Sequence, residues 1–580
     1  MRYWKYCLVA VVVICINGLG MQGSAQPPSA DDAYTSLAQA YFHTFFAQDP
    51  LAASAAGTHE YDGKLNDLSP QHFASLVALD KDSLAKLNAI TPASLSPEVR
   101  IDRQMLIWGI EDELLTTATE ANWRHDPDFY AQTASAAIFL TMAYKYAPLP
   151  DRLRYAIARE RQIPRLLLQG RNNITSVDAA TAEVSYQDSA GSVDFFRSDV
   201  PQAFAAVKDA TLQREFKTAN ANAIQALGQY AQWIKRGPLA HPSGTFAIGK
   251  QAYQQRLLYI DALTMPVGQY LALGERTLRA TQEQFAAVAH RIDPHHTPHE
   301  VYEALSRQHP SGKAVLAAAQ RDVTNLRAFI NTHRIITLPP DSDLKVVETP
   351  SFGRSQVIAA FNPPGPLEKV ATQTYYFVTP PDPAWPLAQQ EQLLGHLNDY
   401  SRPIVSAHEV MPGHFVNYAI DKHLNLSLTR QLLSNPEFAE GWAHYDEQMI
   451  VDEGWGSGDP RVRLAQLALA LTREARYVVG VKLHTQGMTV DEATAFFEKN
   501  ASMSHQASHL EALRGTQDPM YGYYTIGKLM ILKLRDDYKK KMGDTFTLAG
   551  FHDALLAHGD PPIPLLRPIL LGSEDDGKAI

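Results

Sequence analysis

Residues 408–414 read His-Glu-Val-Met-Pro-Gly-His, and residues 435–447 read Asn-Pro-Glu-Phe-Ala-Glu-Gly-Trp-Ala-His-Tyr-Asp-Glu. These two stretches decide how the C-terminal part of the chain must fold. Histidines four apart lie on one face of a helix, where both can ligate one metal ion with a glutamate beside them as base. Here the histidines are six apart, which on a straight helix turns the second roughly 240° from the first. Pro412-Gly413 stands where the helix has to deform, because proline breaks the hydrogen-bond ladder and glycine tolerates unusual backbone angles. A loop or bulge there is expected to bring His414 back beside His408. The plainer alternative is a helix ending at Met411 with two surface histidines.

A metal site needs a third ligand. Without cysteine, zinc takes imidazole and carboxylate, and a catalytic site uses three such ligands and keeps a position for water. Glu409, next to the first histidine, is placed to take a proton from that water. The 435–447 stretch reads as a helix with proline near its start. Glu440 lies some two dozen residues after His414, room for a connection and a return helix. A glutamate on a second helix is the third ligand in the gluzincin layout. Glu440, His444 and Glu447 share a face at steps of four and three, so His444 and Glu447 are candidates to support the ligands from behind. For those two the alternative is an ordinary polar pair on a helix.

Working outward, residues 336–386 are dense in proline. Short strands are expected at 345–347, 356–361 and 372–379, the last rich in β-branched and aromatic residues. A small sheet therefore precedes the metal segment. An exposed strand beside a peptidase site can receive an extended substrate by strand addition, which makes Tyr375 and Tyr376 candidate substrate contacts; a structural hairpin is the alternative. Elsewhere apolar residues recur at helical steps over 34–46, 101–117, 152–172, 203–233, 265–291 and 312–334. The fold class is mainly α: a large multi-helix, two-lobed architecture with one small sheet. The division expected is a signal peptide at 1–25, a disordered N-terminus at 26–33, and an N-terminal helical region at 34–338. A Pro-rich segment with strands follows at 339–386, and a helical catalytic region at 387–580.

The first residues have a separate task. Arg2 and Lys5 precede an apolar run at 8–16, and Gly23-Ser24-Ala25 offers a cleavage site before Gln26, the pattern of a Sec-type signal peptide. The run is shorter than the ~20 residues of a spanning helix. Both cysteines, Cys7 and Cys15, fall inside the expected signal peptide, preceded by Tyr6 and Ile14 rather than the small residue that lipid attachment prefers. The mature chain then has no thiol chemistry. A periplasmic or secreted location is expected, with no stable membrane insertion after cleavage. The net charge of −10 is spread without a basic stripe, which argues against nucleic acid as a partner.

His-Glu-x-x-Pro-Gly-His followed by Glu-Gly-Trp-Ala-x-Tyr resembles the domain of unknown function 885 family. That family is similar to helical zinc peptidases of the gluzincin type, such as angiotensin-converting enzyme and thimet oligopeptidase. The likeness extends through Asp49-Pro50, the Gly57–Gly63 run, Tyr146-Ala147-Pro148, Ile163-Pro164, Ile248-Gly249-Lys250 with Tyr253, and the 551–562 segment. It implies a metal-dependent hydrolase, by analogy a peptidase, with His408, His414 and Glu440 as zinc ligands and Glu409 as general base. A further matching cluster spans 514–528, although Pro519-Met520-Tyr521-Gly522 replaces the Pro-Gly-Gln-Ala of many relatives. In it Tyr524, and secondarily Tyr521, are candidates to donate to the oxyanion of amide hydrolysis; core packing is the alternative for both. Arg476 could clamp a substrate carboxylate or form a structural salt bridge, and Arg473 stands beside it. His484, His505 and His509 lie between ligand helix and tyrosines, and nothing selects one; His295, His296 and His299 read as surface residues.

The function expected is zinc-dependent hydrolysis of peptide bonds in short peptides, admitted to an enclosed cleft. Two alternatives stay open. One is a zinc hydrolase of another amide or ester, such as a cell-wall fragment. The other is a non-catalytic periplasmic binding protein on a peptidase-like scaffold, against which the intact Glu409 argues.

Overall fold

The structure, a computed structural model, describes residues 29–340, 344–350, 354 and 358–580; the expected signal peptide lies outside them. The chain is mainly helical, with a single three-stranded sheet among the described residues. The expected disorder at 26–33 is corrected where the chain is described. The helix Ala30–Gln48 starts from a capping box, in which Ser29 Oγ accepts from Asp32 N–H and the Asp32 carboxylate accepts from Ser29 N–H. Two otherwise orphaned donors are thus satisfied at the helix start, and Tyr34, Ala38, Tyr41 and Phe42 bury the helix's inner face.

Apolar side chains gather in three cores. One joins helices of residues 34–110 to Leu432, a second takes residues 51–234, and the third runs from Tyr253 to Leu571. The core therefore divides near the Gly/Pro-rich stretch after Ile234, and not at the expected boundary near Leu338. The helix Val267–Ile292 packs along Pro460–Thr485, with Gly274 so close to the Tyr477 ring that a β-carbon would lie 3.0 Å from it. Residues 253–336 thus belong, by packing, with the C-terminal region.

The sheet consists of β1 (Leu344–Glu348), β2 (Ala359–Asn362) and β3 (Thr374–Val378) in the order β1-β3-β2. β3 pairs parallel with β1 and antiparallel with β2. Alternation along Thr-Tyr-Tyr-Phe-Val turns Thr374, Tyr376 and Val378 inward. β3, the strand whose composition stood out, is central, so both its edges are occupied. Substrate addition there is ruled out by geometry. Tyr376 is fully buried, with its hydroxyl 3.1 Å from Ser406 Oγ, which corrects its candidacy as a substrate contact. Tyr375 is half-buried and stacks on Phe377. Among the described residues, the edge without a strand partner near the metal segment belongs to β2. Thr379 N–H donates to Ile358 C=O, and in the antiparallel register this turns the N–H groups of Ala359 and Phe361 away from the sheet.

The N-terminal region is fastened to this sheet. Gly57 closes the helix Pro50–Ala56 in the left-handed region, at φ 89°, and a β-carbon there would sit 2.7 Å from Glu368 N. His59 then reaches Asp62 through Nδ1 at 2.8 Å and Glu368 through Nε2 at 2.9 Å, with its ring stacked on Tyr146. Burial alone would lower the His59 pKa, but hydrogen bonds to Asp62 and Glu368 outweigh it and push it up to about 9.

Candidate metal centre

The helix Ser401–Glu409 stops one residue after the first histidine. The N–H groups of Val410 and Met411 both fold back to Ser406 C=O, at 3.0 and 3.1 Å, and Gly413 N–H donates to Ala407 C=O at 2.9 Å. The Met411–Pro412 peptide is cis. At Gly413 the chain passes over the end of the helix so closely that a β-carbon would lie 1.8 Å from His408 O. Only glycine fits. The next helix, His414–Asp421, begins there. The interruption cancels the six-residue phase error, and the His408 and His414 rings stand edge to face with centroids 4.8 Å apart.

The opposing helix, Pro436–Asp452, is started by Asn435, whose Oδ1 accepts from Glu437 and Phe438 N–H. Trp442 Nε1 donates to Pro412 C=O, tying this helix to the interruption. Glu440 Oε2 then lies 3.5 Å from His408 Nε2 and 3.4 Å from His414 Nε2. One ligand atom from each of these residues lies within 4.8 Å of the others. Ligands at zinc-bond lengths around a tetrahedral ion would be roughly 3.3 Å apart. Glu440 Oε2 is buried with only the two imidazole nitrogens near it, at 3.5 and 3.4 Å, long contacts that a cation at the common point would shorten into ligand bonds. The donor set of two imidazoles and one carboxylate suits zinc. The three residues fit the ion.

Supporting groups surround the ligands. Glu447 Oε1 lies 2.8 Å from His408 Nδ1 and 2.7 Å from Arg473 Nη2, and Oε2 lies 3.3 Å from His444 Nδ1. A carboxylate on the far nitrogen fixes ring orientation and tautomer. Burial would lower the His408 pKa, but hydrogen bonds to Glu440 and Glu447 carry it up to about 9. Burial would raise Glu440, but the His414 charge and its hydrogen bonds to both histidines hold it well below the usual carboxylate range. His444 is pushed down to about 3 by burial and by the Lys528 charge, so it stands neutral behind Glu447. Glu409 faces the sheet, and its Oε2 accepts from Phe361 N–H at 2.8 Å. This contact gives the candidate base a fixed orientation against the free edge of β2. Sequence reasoning missed it, since a backbone donor leaves no mark in residue types.

The helix Tyr523–Met542 lies against Pro436–Asp452 with backbones touching. A β-carbon on Gly441 would be 2.6 Å from Gly527 Cα, and one on Gly527 would be 2.0 Å from Glu437 O. This approach sets Tyr524 over His408, with ring centroids 6.5 Å apart. Burial, then the Glu440 charge, raises the Tyr524 pKa, so the phenol keeps its proton and can donate it in a hydrogen bond. Tyr521 is fully buried, wedged against Gly480 and Gly515, which corrects its candidacy as an oxyanion donor. Arg476 is engaged on both sides of its fork by Glu511, at 2.7 and 2.6 Å, the salt bridge rather than the free clamp. None of the other histidines considered belongs to the cluster: His484 bonds Gly515 C=O inside the core, His505 pairs with Glu498 at the surface, and His509 lies 3.6 Å from Glu183. Arg514, unremarked in the sequence, donates to Tyr524 Oη at 3.2 Å.

Two solved structures share the fold. A candidate lipoprotein of unknown function from Shewanella oneidensis superposes with a TM-score of 0.79 at 24% identity, covering 93% of this chain and 99% of that one. A candidate lipoprotein from Colwellia psychrerythraea superposes with a TM-score of 0.79 at 17% identity, covering 94% and 100%. No curated protein matches the chain. Residues 50–570 match the family described as bacterial protein of unknown function, DUF885, and the chain belongs to that family.

Proposed function

We propose that the protein is an exported zinc-dependent hydrolase that cleaves peptide bonds in short peptides. The observation that carries this reading is the convergence of His408 Nε2, His414 Nε2 and the buried Glu440 Oε2 on one point, next in sequence to the oriented carboxylate of Glu409. The gluzincin-like ligand order supports a peptidase, as does the free edge of β2 next to Glu409, since an extended peptide can pair with such an edge. Export rests on the N-terminal signal pattern and agrees with the lipoprotein descriptions of the two structural neighbours.

A zinc ion at this point would supply Lewis acidity toward a carbonyl and lower the pKa of water. The protein's own groups do the rest. Glu409 accepts a proton from the attacking water and returns it to the leaving nitrogen. The water's oxygen joins the carbonyl carbon as the C–N bond breaks, so water is added across the amide. Phe361 N–H holds one oxygen of Glu409, leaving the other to meet the water. Tyr524 aims its hydroxyl toward the region where negative charge develops on the carbonyl oxygen, a contribution on the order of 3 kcal/mol when such a donor is in place.

Purified protein supplied with zinc should carry about one ion per chain by elemental analysis and cleave members of a short-peptide library by mass spectrometry. Glu409→Gln should keep the ion and lose turnover by roughly 10²–10⁴-fold. Absence of bound zinc would sink the metal reading, and wild-type turnover in Glu409→Gln would remove the general base.

A further inference from the structure

Three guanidinium groups crowd the Tyr524 ring: Arg473, Arg476 and Arg514 lie 5.6, 5.4 and 5.9 Å from its centroid. Their charges are not equally compensated. Arg473 is 2.7 Å from Glu447, and Arg476 is held by both oxygens of Glu511. Arg514 has no carboxylate at hydrogen-bond distance. Its nearest, Asp518, is 3.9 Å away, and Asp518 already accepts from the Tyr523 hydroxyl at 3.0 Å. The Arg514 side chain is also one-third exposed, at 33%, against 14% for Arg473 and 13% for Arg476. Arg514 is thus the most loosely paired of the three, and the one that solvent reaches most.

Its position gives that charge a use. Arg514 Nη2 touches the Tyr524 hydroxyl, and the Tyr524 ring lies over His408. A chain whose carbonyl sits at the metal point and beside Tyr524 would place the next one or two residues toward Arg514. The anion that every unmodified peptide carries near its last bonds is its terminal carboxylate. A guanidinium fork matches that group in shape and charge.

We propose that Arg514 binds the free C-terminal carboxylate of the substrate, so that the enzyme trims short peptides from the C-terminal end. This rests on the peptidase reading and narrows it to exopeptidase action with a named anchor. Arg514 is a specificity residue here; Arg476 and Arg473 are taken up by Glu511 and Glu447.

The test compares matched peptides that differ only in the terminus, such as acetyl-Ala-Ala-Phe as free acid and as C-terminal amide, on the zinc-loaded full chain. The free acid should have a kcat/KM higher by at least about tenfold. Arg514→Gln should lower kcat/KM for the acid by on the order of 100-fold beyond whatever it costs the amide through the Tyr524 hydrogen bond, so that the acid-to-amide ratio falls to about one. Arg514→Lys, which keeps the charge and is the milder change for folding, should recover part of the acid preference. Equal use of acid and amide by the wild type overturns the proposal while leaving a peptidase. If neither is cleaved, the peptidase reading fails for these substrates, and calorimetric binding of the same two peptides to the wild type decides the anion site by itself. A tenfold acid preference lost in Arg514→Gln supports it, and equal or absent binding overturns it.

Discussion

At the scale of single residues, Glu447 determines how the first histidine points. It is fully buried, and its two oxygens are shared among His408, Arg473 and His444. Glu447→Gln keeps the size but gives up the charge that holds the His408 ring. The expected result is a zinc affinity lower by about 10–100-fold, read by chelator competition, with an unchanged circular dichroism spectrum. The cluster of His408, His414 and Glu440 was legible in the sequence. Histidine and glutamate are rare enough in such spacing to point to a metal, and helical phase placed Glu447 behind them. What stayed hidden were contacts made by backbone or by distant partners. Phe361 N–H on Glu409 has no residue signature, and Glu511, which neutralises Arg476, lies on another helix. Arg514 stood within a quoted cluster, but its loose pairing and its contact with Tyr524 appear only once its neighbours' partners are known.

At the scale of elements, Gly441 and Gly527 bring two helices to backbone contact, and this contact carries Tyr524 to the metal point. A methyl group at Gly527 would lie 2.0 Å from Glu437 O and 2.8 Å from Gly441 Cα, both backbone atoms that cannot rotate away. Gly527→Ala should destabilise the fold by about 1–3 kcal/mol or more, as overpacking does, and lower tyrosine-dependent turnover with it. Gly228, inside the helix Ala210–Arg236, has open space around its β-position. Gly228→Ala should instead stabilise by roughly 0.5–1 kcal/mol, through backbone entropy and helix propensity. Paired thermal melts check both signs. The helices were readable because a 3.6-residue period is written locally. Strand order was not. β3 has the stronger pattern because it is buried between two partners, whereas β2 is four half-buried residues whose importance comes from facing Glu409.

At the scale of the whole molecule, the N-terminal turn grips the segment that leads into β3, through His59 between Asp62 and Glu368. The His59 pKa is pushed up to about 9 from its ordinary 6.5. Its contribution is therefore complete below about pH 6.5 and is lost as pH rises through 9. Asp62 and Glu368 are shifted the other way: burial would raise them, and hydrogen bonds with His59 lead the interactions that lower them. Their contribution is present above roughly pH 4 and fades as pH falls below it. Stability should decline by about 2 kcal/mol between pH 6.5 and 9.5 from this cluster. His59→Asn should flatten that part of a thermal-shift profile. The sequence showed the Gly57–Asp62 run without showing what it grips, because the partner lies some 300 residues away. The expected boundary near Leu338 followed proline density, a mark of irregular backbone, while the cores divide by which helices share apolar faces. The close approach of Gly365 to Ala56, where a β-carbon would lie 2.4 Å from the Ala56 carbonyl, has a consequence for modularity. The half that carries the candidate metal site should not fold by itself when excised, because the loop between β2 and β3 is seated on a turn near the other end of the chain. The unit that must be inherited intact is nearly the entire polypeptide, and the family match accordingly opens at Pro50, the first residue of the helix that ends in that turn.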